Sequence, residues 1–181
     1  MSFQSRLLFL PATAIFAAAL PPAAVAVEYQ SLQEAQQKLV PGATLTPADF
    51  KLEPEQRELL KNLYKVPTLR PAVKVWKVST GGWLFLDQVY GRDDIVSYLA
   101  HVGDDNTLRG IEVLVCADGY CDLFTREWRS RLVGQKQGRW MPEDVVPIVS
   151  GATLSCVHVA EGVKKLLAIH ARFMQGGQGG G

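Results

Sequence analysis

Ser150-Gly151-Ala152-Thr153 stands between an apolar run, Val145 to Val149, and a segment, Leu154 to Ile169, with a different texture. In that second segment Cys156, Val159, Ala160, Val163, Leu166 and Leu167 recur at helical spacing, the mark of a buried stripe. The tetrapeptide is therefore expected to be a tight loop delivering the chain into a helix. Serine and threonine cap helix N-termini, and Gly151 permits a bend or a close approach to a bulky group. Exposed N–H groups and the helix dipole at such a start favour a phosphate. Taken alone, the same string also serves as an ordinary helix cap.

Other chemistry-bearing residues are scattered. His101 falls in an expected strand, and His158 and His170 fall on the expected last helix, too far apart along it to share a metal ion. No carboxylate partner accompanies them, so packed or surface histidines are expected and no metal site. A Ser155 nucleophile activated by Lys164 or Lys165 is disfavoured, because those lysines lie more than two turns further along the helix. The three cysteines are Cys116, Cys121 and Cys156. An oxidising compartment permits a Cys116–Cys121 bridge across Ala117-Asp118-Gly119-Tyr120, although close spacing alone does not give bridging geometry. The absence of CxxC and CxxCH removes support for zinc ribbons, thioredoxin motifs and c-type haem attachment.

SGATLS, the apolar run before it and the GVKKLL ending resemble the flavinylation segment of the FMN-binding domain family. That family includes the covalent-flavin subunits of the sodium-pumping NADH:quinone reductase and of the Rnf complex, and small exported flavoproteins. The resemblance implies that Thr153 carries FMN through a phosphoester. Ser150, Gly151, Ala152 and Ser155 would cradle the phosphate, with Leu154 in the same cofactor-binding segment. A Tyr-containing turn, a Trp-Arg helix and a glycine precede the motif in the family, and Tyr120, Trp128, Arg129 and Gly134 match that order. Tyr120 and Trp128 are thus the aromatics expected near the flavin ring, although core packing and flavin contact look alike for Trp128. The lead-in (a short helix, PGA, then LEPEQRELL) extends the resemblance over nearly the whole mature chain. The family often has an Asp six residues before the modified threonine. Here Pro147 holds that place and Asp144 is the nearest acid, which leaves flavinylation open.

The implied role is electron transfer between redox partners in the membrane and outside it, after loading by a separate flavin transferase that uses FAD as donor. One alternative is a flavin-free exported binding module of the same fold. Another is a small flavin-dependent reductase acting on its own substrate.

The chain has 181 residues with a formal net charge of +1, enough for one domain with a modest core. It shows no basic block of the kind that binds nucleic acid or anionic lipid. Arg6, the apolar stretch Leu7 to Leu20 and Ala24-Val25-Ala26 read as a secretory signal cleaved after Ala26. Pro11 and Pro21-Pro22 interrupt the stretch, which is short for a membrane span. A periplasmic or otherwise exported protein is expected, not membrane-spanning after cleavage.

An α+β fold is expected, an antiparallel sheet with N-terminal helices and a C-terminal helix after the SGAT loop. Its parts would be a signal peptide over 1–26, a helical lead-in over 27–70, an FMN-binding domain over 71–172 and a disordered tail over 173–181. Ser31-x-x-Glu34 is a capping box, Pro41-Gly42 ends that helix, and Pro54 opens another, so residues 31–64 read as helical. Strands are expected over Val73 to Val78, Trp83 to Val89, Ile95 to Val102 and Leu108 to Cys116, joined by short turns and hence antiparallel. A short helix is expected from Thr125 to Val133.

Overall fold

The computed structural model describes residues 27–64, 72–116, 124–138, 140–147 and 153–175. The expected signal segment, Cys121 and the end of the Gly/Gln-rich tail lie outside them.

Chain order runs β1 (Val27–Glu28), α1 (Leu32–Leu39), β2 (Leu45–Lys51), α2 (Pro54–Tyr64), β3 (Ala72–Val78), β4 (Trp83–Tyr90), β5 (Ile95–Val102) and β6 (Leu108–Cys116). Then come α3 (Arg126–Ser130), α4 (Pro142–Val145) and α5 (Thr153–Ile169), which passes into a π-helical turn, His170–Met174. The six strands form one antiparallel sheet in the order β1-β6-β5-β4-β3-β2. The α+β architecture read from the residues is the one observed.

The local signals act as their chemistry requires. Ser31 Oγ accepts the Glu34 N–H at 3.2 Å while the Glu34 carboxylate accepts the Ser31 N–H at 2.7 Å, the reciprocal capping box of α1. Those bonds from Ser31 hold the Glu34 carboxyl below its ordinary pKa. The β3–β4 turn uses Gly81 and Gly82 at φ +111° and +82°. A Cβ on Gly82 would run into the Val102 carbonyl oxygen, so this turn requires a residue without one.

One expectation is corrected. Residues 31–64 are not continuously helical, because β2 separates α1 from α2 and pairs along its whole length with β3, Leu45 opposite Val78 and Lys51 opposite Ala72. Leu45 packs on one side of the sheet while Ala48 and Phe50 pack on the other, the period-2 alternation of a strand. Pro47 fits because β2 is an edge strand, where a missing N–H breaks no ladder bond. The lead-in over 27–70 thus contributes two of the six strands.

Each face of the sheet carries its own cluster. On one face α1 sets Ala35 and Val40 against Val78, Leu84, Leu99 and Leu114. On the other, Phe85, Tyr98, Ala100 and Val113 meet Val159, Val163, Leu166 and Leu167 of α5, with Leu60 of α2 in the same cluster. That second face is the main core, and α5 is its lid. Phe173 extends it past the helix, its ring centroid 6.2 Å from that of Phe50. Among the described residues no helix is long and apolar enough to cross a membrane.

Candidate functional site

Thr153 is the first residue of α5 and is exposed, as is Leu154 beside it at 51%. The next residue, Ser155, is completely buried. Its Oγ accepts the Arg92 backbone N–H at 2.9 Å. Three residues on, on the same side of the helix, His158 Nδ1 donates to the Tyr90 carbonyl at 2.7 Å. These two bonds bring the end of β4 and the turn into β5 against the first turns of α5. The turn closes through the Gly91 N–H on the Asp94 carbonyl at 2.7 Å. It presents Tyr90, 59% exposed, and Arg92, whose guanidinium lies 3.7 Å from Asp93.

The first turn of α5 therefore combines a hydroxyl and an exposed aliphatic residue with, on the neighbouring turn, an aromatic ring and a guanidinium. As a donor set it fits a phosphorylated aromatic group: N–H dipoles and a cation for the phosphate, apolar surface for the ring. Tyr120, Ser150, Gly151 and Ala152, four of the expected cofactor-binding residues, lie outside the described residues. Of the others, Thr153 and Leu154 are exposed, and the Ser155 hydroxyl accepts the Arg92 amide.

Trp128 sits on α3, capped by the Thr125 hydroxyl, which accepts the Trp128 N–H at 3.2 Å. Its ring is 4% exposed and meets Phe124 edge-on, centroids 5.1 Å apart. The indole Nε1–H is buried without a hydrogen-bond partner. Trp128 is thus a core residue that carries one unsatisfied donor. Arg129, by contrast, is mostly buried. It donates to the Phe124 carbonyl at 2.7 Å and to Glu112 at 3.3 Å, and Glu112 also accepts from Gln30 at 2.8 Å. Gly134 adopts φ +90° where the turn after α3 ends.

Neither a protein-family model nor a curated protein matches this chain.

The remaining candidates sort by their partners. Among the described residues no group of His, Cys, Asp and Glu could hold a metal ion. His101 Nε2 donates to the Gly81 carbonyl at 3.2 Å. His170 is 1% exposed, and its Nδ1 accepts from Asn106 Nδ2 at 3.0 Å. Burial pushes both imidazoles below their ordinary pKa, more than their neighbouring charges compensate. Lys164 donates to the Trp140 carbonyl at 2.9 Å and covers the Trp140 ring. Lys165 pairs with Asp87, so neither lysine serves Ser155. Cys116 is disulfide-bonded, whereas Cys156 is buried and outside any disulfide. Pro147 and Asp144 are both exposed.

Two features have no counterpart in the expectations read from the residues: the docking of the β4–β5 turn on the start of α5, and the Asp87–Lys165 pair further along that helix. Asp87 interrupts the inward row Phe85, Asp87, Val89 of β4, and Lys165 interrupts the apolar stripe of α5. A lone acid and a lone base, each at a core position, were the readable signal.

Proposed function

We propose that this chain is an exported flavoprotein that carries FMN on the Thr153 hydroxyl through a phosphoester and passes electrons between redox partners. The observation that carries this reading is the exposure of Thr153 at the first position of α5, inside a motif that resembles the flavinylation segment. A modifying enzyme can reach such a hydroxyl, and the product phosphate would lie where the helix dipole favours negative charge by about 0.3–1 kcal/mol. Formation of the ester joins Thr153 Oγ1 to the phosphorus of an FAD donor, breaks the donor's phosphoanhydride and releases AMP. The hydroxyl proton leaves through the transferase and ends on the departing AMP.

Once attached, FMN supplies one- and two-electron chemistry through its ring. The chain's own contribution is tethering and surroundings. Thr153 holds the phosphate, Leu154 offers apolar surface, and the turn carrying Tyr90 and Arg92 stands beside them. A covalent link also prevents cofactor loss outside the cytoplasm.

The second reading is an exported binding module that keeps the fold without flavin, and the exposed Pro147 in the place of the family Asp favours it. Co-production with a flavin transferase followed by denaturing gel electrophoresis separates the two. Ultraviolet-excited fluorescence that migrates with the denatured wild-type band, and is missing from Thr153→Ala, supports the carrier. A dark wild-type band supports the module.

A further inference from the structure

Among the described residues, three polar rungs that join α5 to β4 and its turn run in opposite chain directions along the two elements. Arg92 meets Ser155, Tyr90 meets His158, and Asp87 meets Lys165, so the helix runs antiparallel to the strand. The two repeats match in length. From Tyr90 back to Asp87, extended chain covers about 10 Å at roughly 3.3 Å per residue. From His158 to Lys165, helix covers about 10 Å at 1.5 Å per residue. A slip of one residue would move α5 by about 1.5 Å and turn it by about 100°, which removes every rung at once.

The lowest rung is the most constrained. Lys165 is 4% exposed, and its Nζ lies 2.7 Å from Asp87 Oδ2 and 2.9 Å from Oδ1. Tyr98, fully buried on β5, donates its hydroxyl to the same Oδ2 at 2.6 Å. Its ring end enters the helix surface at Gly162, where any Cβ would collide with the Tyr98 hydroxyl. A buried charge pair of this kind adds little net stability over an apolar replacement, but an alignment that separates its partners leaves a buried charge uncompensated.

We propose that Asp87, Lys165 and Tyr98 are positioning residues: they fix the axial register of α5 on β4 and thereby set where Thr153 stands relative to the β4–β5 turn. The register stands on the geometry alone, and its consequence at Thr153 rests on the flavin reading above. An apolar core at this spot would hold the helix down without choosing between neighbouring registers.

The test replaces the cluster by apolar residues of similar size, Asp87→Leu with Lys165→Met and Tyr98→Phe. Spin labels go on Thr153→Cys and Lys74→Cys, both exposed positions, since Cys156 is buried and Cys116 is disulfide-bonded. The parent should give one narrow interspin distance. The apolar variant should melt within a few degrees of the parent yet give a distribution at least twice as wide. In parallel, with Thr153 intact, co-production with a flavin transferase should label the apolar variant several-fold less than the parent. An unchanged distance distribution overturns the proposal whatever the flavin result. A broadened distribution with undiminished labelling overturns the positioning role at Thr153. A broadened distribution with an unlabelled parent upholds the register and rejects the flavin reading. If the triple variant does not fold, Asp87→Asn with Lys165→Met is read by the same criteria.

Discussion

The Ser155 hydroxyl accepts the Arg92 backbone N–H at 2.9 Å, joining residues 63 positions apart in the chain. It turns a helix start into a two-sided feature, because the turn it holds carries Tyr90 and Arg92 alongside Thr153. Loss of this acceptor in Ser155→Ala should destabilise the protein by about 1 kcal/mol, the usual worth of one such bond. Chemical denaturation measures it. Amide exchange at Arg92 should accelerate in the same variant while exchange in the centre of β4 stays slow.

Gly162→Ala places a methyl group against the Tyr98 hydroxyl, which the Asp87 carboxylate holds in place. The expected cost is about 1–3 kcal/mol, typical of overpacking a filled core. Tyr98→Phe removes the colliding atom, so the Gly162→Ala penalty should be smaller in a Tyr98→Phe background. A double-mutant cycle with a coupling energy near zero would contradict the close approach.

Acid should weaken the fold through His170. Burial lowers its pKa in the folded state, so the unfolded chain takes up its proton first as pH falls. The contribution of neutral His170 is therefore complete above about pH 6.5, the ordinary imidazole value, and is lost as pH falls towards the folded-state value. Asp104 and Asp105 pull the imidazole pKa up and Lys77 pushes it down, without reversing the effect of burial. His101 shifts in the same direction and adds to the slope. Unfolding free energies between pH 5 and 7 should fall with acid in the wild type, and His170→Gln should flatten that slope. Asp105, held at about 2 chiefly by the Thr107 hydroxyl, with Arg109 and Lys136 contributing, changes charge only in stronger acid.

Thiol counting tests the cysteine assignment. Cys156 is fully buried and Cys116 is disulfide-bonded. Native protein should resist alkylation. Unfolding without reductant should expose Cys156 to the reagent, and unfolding with reductant should add reaction at Cys116.

How far the residues alone led depends on the range of the forces involved. The capping box of α1 and the bounds of β5 and β6 are local and legible: Ile95–Val102 and Leu108–Cys116 occur as read. β2 was hidden because Pro47 and Asp49 weaken its strand character and two helical segments flank it. Only pairing with β3 makes it a strand. Trp128 is expected either near the flavin ring or in the core, and its burial against Phe124 leaves no trace in spacing. The rungs from α5 to β4 were not read at all. A hydroxyl or imidazole meeting a backbone group many residues away leaves no periodic trace. Asp87 and Lys165 did leave one, since each sits where an apolar side chain was due.

Intact-mass analysis of the protein after co-production with a flavin transferase tests the flavin assignment most directly. The account predicts a gain equal to FMN less one water, confined by fragmentation to the peptide containing Thr153 and lost in Thr153→Ala. An unshifted mass for fully folded wild-type protein, with the transferase active on another substrate in the same cells, would contradict it.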